Sequence, residues 1–338
     1  MVTRALIRDG LKALGILEGD TVFIHSSLRA FGRVAGGAPT VVSALLDAVG
    51  PSGTLVAPIF RAFFTEGPNQ SWNRDTSPSL MGIVSETVRT WPGAERSAHA
   101  VHPIAAVGRL ARELAGMQHE TDFDFDSPWQ RLIECNAWVV LLGVTYNSAT
   151  MVHVIEERFE VPYRRWVTRT GTVVSGGAAV KKDYRFLERY PGVENDFMPV
   201  GERLAARGME RTVKIGKATV RGVRARDLFD ECRSAVSRDP LFLLGAGGRV
   251  AAAKHMPAYG ERIHAFVTSV PPLLEPSDAT SRKLSRTLSV CRPADPEGAV
   301  RGAQRDTPDG LLLENISIPG AMRDVVSGDT APGMIAFP

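Results

Sequence analysis

A chain of 338 residues with 44% hydrophobic and 23% charged residues has the make-up of a globular protein with a sizeable core, in one large domain or two smaller ones. Its net charge of +3 and pI of 8.8 lean basic, but the arginines are scattered, which excludes a nucleic-acid-binding stripe. Cys135, Cys232 and Cys291 are odd in number and widely spaced, which excludes a disulfide framework or a zinc knuckle and fits a reducing compartment.

The N-terminal stretch carries Arg4, Arg8 and Asp9 where a signal peptide needs apolar residues. No run approaches the roughly 20 apolar residues of a membrane span, so the expected location is the cytoplasm. Residues 4–15 have helical spacing through Leu6, Ile7, Leu11 and Leu14 and stop at Gly15. Residues 21–25 and 53–58 read as buried strands either side of a helix over 40–49, a β-α-β pattern. Further helices are expected over 78–90, 105–117, 195–208 and 226–238, and the most apolar strand over 138–145. Residues 164–189 turn to Thr, Val, Gly and basic residues and read as β structure, with Ser175-Gly176-Gly177 as a hairpin turn. Periodic apolar text fades beyond Gly245. The domain is therefore drawn as 1–245, with 246–338 as an extension, loosely docked or poorly ordered after about residue 270. No internal repeat is visible.

Two short stretches carry the chemistry. His25-Ser26-Ser27-Leu28 closes the first strand and is followed by Gly36-Gly37 and a helix, a hydroxyl- and glycine-rich turn suited to an extended or phosphorylated ligand. His153-Val154-Ile155-Glu156 puts an imidazole and a carboxylate on one helical face. A ligand cradle together with a base points to group transfer. An amine at neutral pH is mostly protonated and must lose a proton before it attacks a thioester, work suited to a histidine. Glu156 and Glu157 both neighbour His153 at helical spacing, so either could orient it. Thr150 fits two roles, oxyanion donor or N-cap of the helix that bears His153.

These segments, with Gly53-Thr54-Leu55, Ser77-Pro78-Ser79-Leu80-Met81-Gly82, Arg96-Ser97-Ala98-His99, Ser127-Pro128 and Thr150 to Glu156, resemble in order and spacing the aminoglycoside 3-N-acetyltransferase family over about residues 1–245. The resemblance implies an α/β fold with a mixed central sheet flanked by helices. It implies acetyl-CoA as co-substrate, no metal, and a small-molecule acceptor bearing a primary amine on an aminosugar. It makes His153 the base of a direct transfer, Glu156 rather than Glu157 its partner, and Thr150 a member of the site. Ser26, Ser27, Leu28 and Arg29, with Arg96 and Ser97, become the cofactor-binding candidates, the arginines facing CoA phosphates. Ser127 resembles a position near the active site. A homodimer is compatible with this reading; nucleic acid and membrane are not expected as partners.

The chain departs from the family pattern at Ala149, where an Asn is usual, although Asn147 lies nearby. It departs again at Ala100 and Pro103. The continuation Val161-Pro162-Tyr163-Arg164 is more like members found with glycan or natural-product biosynthesis. With Arg158, Arg164 and Arg165 it suggests an acceptor carrying a phosphate or carboxylate and little antibiotic resistance. Asp122, Asp124 and Asp126 lack the Gly and Glu of a calcium loop and read either as an acidic rim for an amine or as a solvated loop. Gly245-Ala246-Gly247-Gly248 matches neither a dinucleotide fingerprint nor a P-loop. The rival readings are a metal-dependent hydrolase using His99, His102, His153 and Glu156, and a homologue that binds CoA or another ligand without turnover.

Overall fold

The computed structural model describes residues 1–60 and 70–256. Most of the 246–338 extension, including everything after residue 270, lies outside the described residues. The β-α-β pattern expected at the N-terminus is present: strand β1 (Thr21–Ser26), helix α2 (Gly37–Val49) and strand β2 (Thr54–Pro58), with β1 and β2 parallel. Helix α1 (Arg4–Leu14) precedes them. Thr3 caps it by accepting the Leu6 N–H, and Gly15 ends it in the left-handed conformation.

Strand β6 (Trp138–Leu142) lies parallel to β1 on its other side. The remaining strands of this sheet, β5 (Ile104–Gly108), β4 (Glu95–Arg96), β10 (Ala218–Arg224) and β9 (Arg211–Ile215), add antiparallel at the two edges. The order is β4-β5-β2-β1-β6-β10-β9, a mixed seven-stranded sheet. A smaller sheet joins β3 (Ser71–Asn73) to the long hairpin β7 (Arg164–Ser175) and β8 (Ala178–Arg189). That hairpin turns at Gly176-Gly177, both at positive φ, as the sequence suggested.

Alternation along β1 divides the core. Val22 and Ile24 join the cluster built with Ile7, Leu11, Val41 and Leu45 of α1 and α2. Phe23 points to the opposite face, edge-on to Trp129 of helix α5 (Pro128–Glu134) at 5.2 Å. His25 shares that second face, which also carries α6 (His153–Arg158) and α8 (Ala225–Arg238). The strand period therefore sends one histidine to the side where the catalytic candidates sit.

Several expected elements differ. The helix read over 105–117 is strand β5 followed by α4 (Ala111–Gly116). Ile104-Ala105-Ala106-Val107 is apolar at every position, a pattern that fits a strand buried on both faces as well as a helix. Pairing with β2 decides for the strand, and Gly108 at φ +117 is so close to Gly53 that a Cβ would lie 2.3 Å from its carbonyl. The helix over 78–90 shortens to α3 (Ile83–Arg89), the one over 195–208 to α7 (Met198–Ala206), and the strand over 138–145 ends at Leu142. Strands β9 and β10 and helix α5 carried no sequence expectation. Ser127 proves to be the N-cap of α5, accepting the Gln130 N–H at 3.3 Å. Helix α9 (Ala246–Lys254) follows the drawn boundary at 245 and buries Gly248 and Ala252.

Candidate active site

Ligands in open α/β sheets gather beyond the carboxyl ends of parallel strands, where neighbouring connections diverge. Here β1 ends at Ser26, and two cavities lie beyond the ends of β1, β2 and β6.

The first cavity, of 580 Å³, contains His153 and Glu156. Helix α6 is preceded by a 3-10 turn, Thr150–Val152, which sets His153 at the first helical position and Glu156 one turn on. His153 Nδ1 makes a short hydrogen bond to Glu156 Oε2. Arg164 reaches the same oxygen at 2.7 Å, while Tyr163 Oη and Asn195 Nδ2 donate to Oε1 at 2.7 and 2.5 Å. Burial works to raise the Glu156 carboxyl. The Arg164 guanidinium, the imidazole and the hydrogen bonds from His153 and Tyr163 outweigh it and hold the group well below the usual carboxylate range.

An ionised, acceptor-only Glu156 fixes the tautomer of its partner: Nδ1 carries the proton and Nε2 keeps a lone pair. Burial lowers the His153 pKa, opposed by Glu156 and assisted by Arg164 and His102, so the ring is neutral and basic at Nε2. The ring is 24% exposed while Glu156 is 1% exposed. The carboxylate is thus buried behind the imidazole, and the imidazole is the more exposed of the two. Glu156, not Glu157, partners the histidine. Glu157 instead accepts from Thr121 Oγ1 at 2.5 Å and the Phe123 N–H at 3.1 Å, and burial pushes its carboxyl up to about 7.

Thr150 does not cap α6; the cap position falls on Val152, with no side-chain hydrogen bond. Its backbone N–H donates to His25 Nε2 at 3.3 Å, tying the turn before His153 to the end of β1. Burial and the nearby His153 push the His25 pKa down to about 3, so this link holds in the neutral form of the ring. Thr150 lines neither cavity. Asn147, the substitute considered for the missing Asn at Ala149, lines the first cavity and spends its Oδ1 on the Phe197 N–H at 2.7 Å.

The second cavity, of 560 Å³, is lined by Ser26, Ser27, Leu28 and Arg29 together with Gly37 of α2 and Gly82 just ahead of α3. Four cofactor candidates from one sequence motif therefore share one wall. The N-terminus of the 13-residue helix α2 opens here behind Gly36 and Gly37, both at positive φ, and no side chain caps it. Uncapped N–H groups and the helix dipole favour an anionic ligand. Arg96 and Ser97 are not brought to either cavity. Arg96 is buried over the Trp72 ring, donates to the Ser77 carbonyl at 2.7 Å, and has its pKa lowered to about 10 by burial. Ser97 Oγ accepts the Ile104 N–H at 2.9 Å. Ser97 holds the β4–β5 connection, and Arg96 ties β4 to the segment of Trp72 and Ser77.

Three further expectations are corrected. The arginines of the supposed anion site are engaged elsewhere: Arg158 covers the Phe125 ring and donates to Gln130 at 2.8 Å, Arg164 serves Glu156, and Arg165 lies 3.4 Å from Glu188. The acidic rim dissolves likewise. Asp124 accepts N–H groups of its own loop, and of the three aspartates only Asp122 lines the cavity, held between His99 and His102. The metal set also fails to converge. His99 and His102 face Asp122 while His153 faces Glu156, and among the described residues no three His, Cys, Asp or Glu side chains are placed to hold a metal ion.

Comparison with known proteins agrees with this geometry. The sequence pattern of the aminoglycoside 3-N-acetyltransferase family matches residues 23–237. The chain is 34% identical over 256 residues to aminoglycoside N(3)-acetyltransferase VIII of Streptomyces fradiae, covering 67% of this chain and 89% of the relative. It is 31% identical over 241 residues to the SPbeta prophage-derived aminoglycoside N(3')-acetyltransferase-like protein YokD of Bacillus subtilis, covering 65% and 86%. Among solved structures, the apoenzyme of aminoglycoside acetyltransferase AAC(3)-IVa superposes with a TM-score of 0.64 at 28% identity, over 75% of this chain and 97% of that one. The fold and the match together define an α/β acyltransferase. The chain belongs to the aminoglycoside 3-N-acetyltransferase family, for which acetyl-CoA is the co-substrate.

Among the site residues, sequence reasoning misses Asn195 and Tyr163 as donors to Glu156, and reads Arg164 as an anion binder. Tyr163 and Arg164 belong to a recognisable motif, but nothing in their spacing announces that they fold back on α6. Asn195 is 39 residues from Glu156 and offers no signal.

Proposed function

We propose that this chain transfers the acetyl group of acetyl-CoA to a primary amine on an aminosugar-containing small molecule, with His153 as base. The observation that carries this reading is the posture of His153: Nδ1 fixed by an ionised, buried Glu156, with Nε2 left basic in a 580 Å³ cavity.

The amine attacks the thioester carbonyl carbon, and His153 Nε2 accepts a proton from nitrogen as the C–N bond forms. Glu156 stabilises the resulting imidazolium, and Arg164, Tyr163 and Asn195 keep that carboxylate ionised and oriented. The adduct then collapses, the C–S bond breaks, and the imidazolium returns its proton to the CoA sulfur. Acetyl-CoA is assigned to the cavity of Ser26, Ser27, Leu28 and Arg29, where serine hydroxyls suit pantetheine amides and the α2 N-terminus suits phosphate. In this reading Thr150 sets the turn that presents His153 and is not the oxyanion donor; Arg96 and Ser97 support the cofactor side only through the sheet.

The acceptor is assigned to the His153 cavity. Solved relatives carry a gentamicin at 29% identity and apramycin at 30%, with a TM-score of 0.61 in each case. With Arg158, Arg164 and Arg165 engaged, an anionic acceptor has lost the residues that argued for it, and a polyamino sugar is the first choice. The intact His153–Glu156 pair favours turnover over a purely binding role. The test is free-thiol release from acetyl-CoA against a panel of aminoglycosides and nucleotide-linked aminosugars, with His153→Ala as control. Turnover of an amine that vanishes in the control supports the reading; its absence across the panel overturns it.

A further inference from the structure

The cavity holds a second imidazole in the same posture as the first, and the reaction as written leaves it idle. His102 Nδ1 lies 2.8 Å from Asp122 Oδ2, and the carboxylate is 2% exposed. Burial works to raise the Asp122 carboxyl, but interaction with His102 and His99 holds it well below the usual carboxylate range. An ionised Asp122 accepts and cannot donate, so Nδ1 of His102 holds a proton and Nε2 is the nitrogen left for a ligand. The ring is 26% exposed and lines the cavity.

His102 and His153 stand with ring centroids 6.3 Å apart. Both rings line the one cavity, so an amine seated there lies beside both imidazoles. Behind Asp122 lies His99, with Nδ1 2.9 Å from Oδ1 and its ring stacked on His119 at 4.6 Å. Phe60 and Phe123 flank His102 at 4.9 and 5.1 Å. The other charged groups facing the cavity are the paired Glu156 and Arg164, with Glu157, Glu188 and Arg189.

The proton inventory of the reaction calls for such a group. An ammonium must lose one proton before its lone pair exists, and a second once nitrogen is bonded to the acetyl carbon. Only one of the two ends on the CoA sulfur. We propose that His102, seated on Asp122, is a second base that takes the first proton from the bound ammonium, leaving the second to His153. This rests on the acetyl-transfer reading above. The ammonium N–H bond breaks toward His102 Nε2, giving an imidazolium stabilised by Asp122, and the proton then passes to solvent. The freed lone pair forms the C–N bond, His153 takes the remaining proton, and the C–S bond breaks with that proton delivered to sulfur. Ammonium and acetyl-CoA thus become amide, CoA thiol and one proton released to water.

The experiment is the pH profile of kcat/KM for His102→Asn, with sisomicin as acceptor or, if it is not turned over, the fastest amine of the panel. Below the pKa of that amine the variant should fall about 100-fold under wild type, and above it the two should converge within about threefold, because free amine no longer needs the first base. Asp122→Asn should follow the same profile, whereas His153→Ala should stay low throughout. A deficit constant across pH, or no deficit, overturns the proposal. A measurement free of variants and turnover accompanies it. Nitrogen NMR of histidine-labelled wild type near neutral pH should show His102 protonated at Nδ1 and bare at Nε2; a proton on Nε2 overturns the proposal. If wild type acetylates no amine, the acetyl-transfer reading fails instead, and the NMR result still decides whether His102 is poised as a base.

Discussion

The two cavities at the carboxyl end of β1 are made of different materials. The His153 cavity brings titratable side chains together with apolar ones from α6, β7, β8 and the loops around Asp122 and Asn195. The Ser26 cavity is built mostly from a contiguous turn, glycines and a helix N-terminus. In the proposed reading the first cavity moves protons, which requires groups whose charge is tuned by distant neighbours, and the second holds a long flexible cofactor, which requires backbone N–H groups and room. One cavity is therefore assembled by tertiary contact and the other largely by local chain geometry.

That contrast breaks if changes in one cavity disturb the function of the other. The largest expected effect is His153→Ala, which should lower kcat by about 10²- to 10⁴-fold while acetyl-CoA affinity by calorimetry stays within about threefold. A loss of both would mean that the cavities are one site. Next comes Glu156→Gln. It leaves Arg164 buried beside a neutral amide and should destabilise the fold by about 3–5 kcal/mol, read as a lowered midpoint in denaturant melts. Tyr163→Phe removes one neutral donor to the same carboxylate, at its other oxygen, and should cost only about 1.5–3 kcal/mol.

A third effect belongs to the seam between the cavities. His25 is neutral when folded, with a pKa near 3, and about 6.5 is the unfolded value. The unfolded chain therefore binds more protons across that interval, and this contribution is complete above about pH 6.5. It is lost as pH falls toward 3, at up to about 1.4 kcal/mol per unit. His25→Asn should flatten the pH dependence of stability between roughly pH 6 and 4. The depressed Glu156 acts in the same direction at lower pH, its contribution fading below about pH 4.3. The smallest effects sharpen the cofactor side. Gly37→Val puts a β-branched residue at φ +66, costs about 1–3 kcal/mol, and should raise the KM for acetyl-CoA with kcat nearly unchanged. Arg29→Ala should raise that KM by only about threefold, the range of an exposed charge contact.

The legible part of the site was the part written in consecutive residues. Ser26 to Arg29 came out together because a strand end and the turn after it are one stretch of chain. His153 and Glu156 came out because a helix brings i and i+3 together wherever it lies. Arg96 and Ser97 were misplaced by the same habit, since adjacency in a motif says nothing about which side of β4 faces a cavity.

By itself the sequence determined the α1–β1–α2–β2 beginning, the β7–β8 hairpin, the family, and the pairing of His153 with Glu156. Those follow from periodicity, turn chemistry and short spacings, which act over a few residues. The tertiary structure alone decided that 104–108 is a strand, because a uniformly apolar run takes its conformation from whichever edge it pairs with. It alone decided which charges matter. Arg164 is drawn to Glu156, Asp122 is clamped between His99 and His102, and Asn195 arrives from another segment. A buried carboxylate must be neutralised by whatever donors the fold carries to it, and that selection is made in space rather than along the chain.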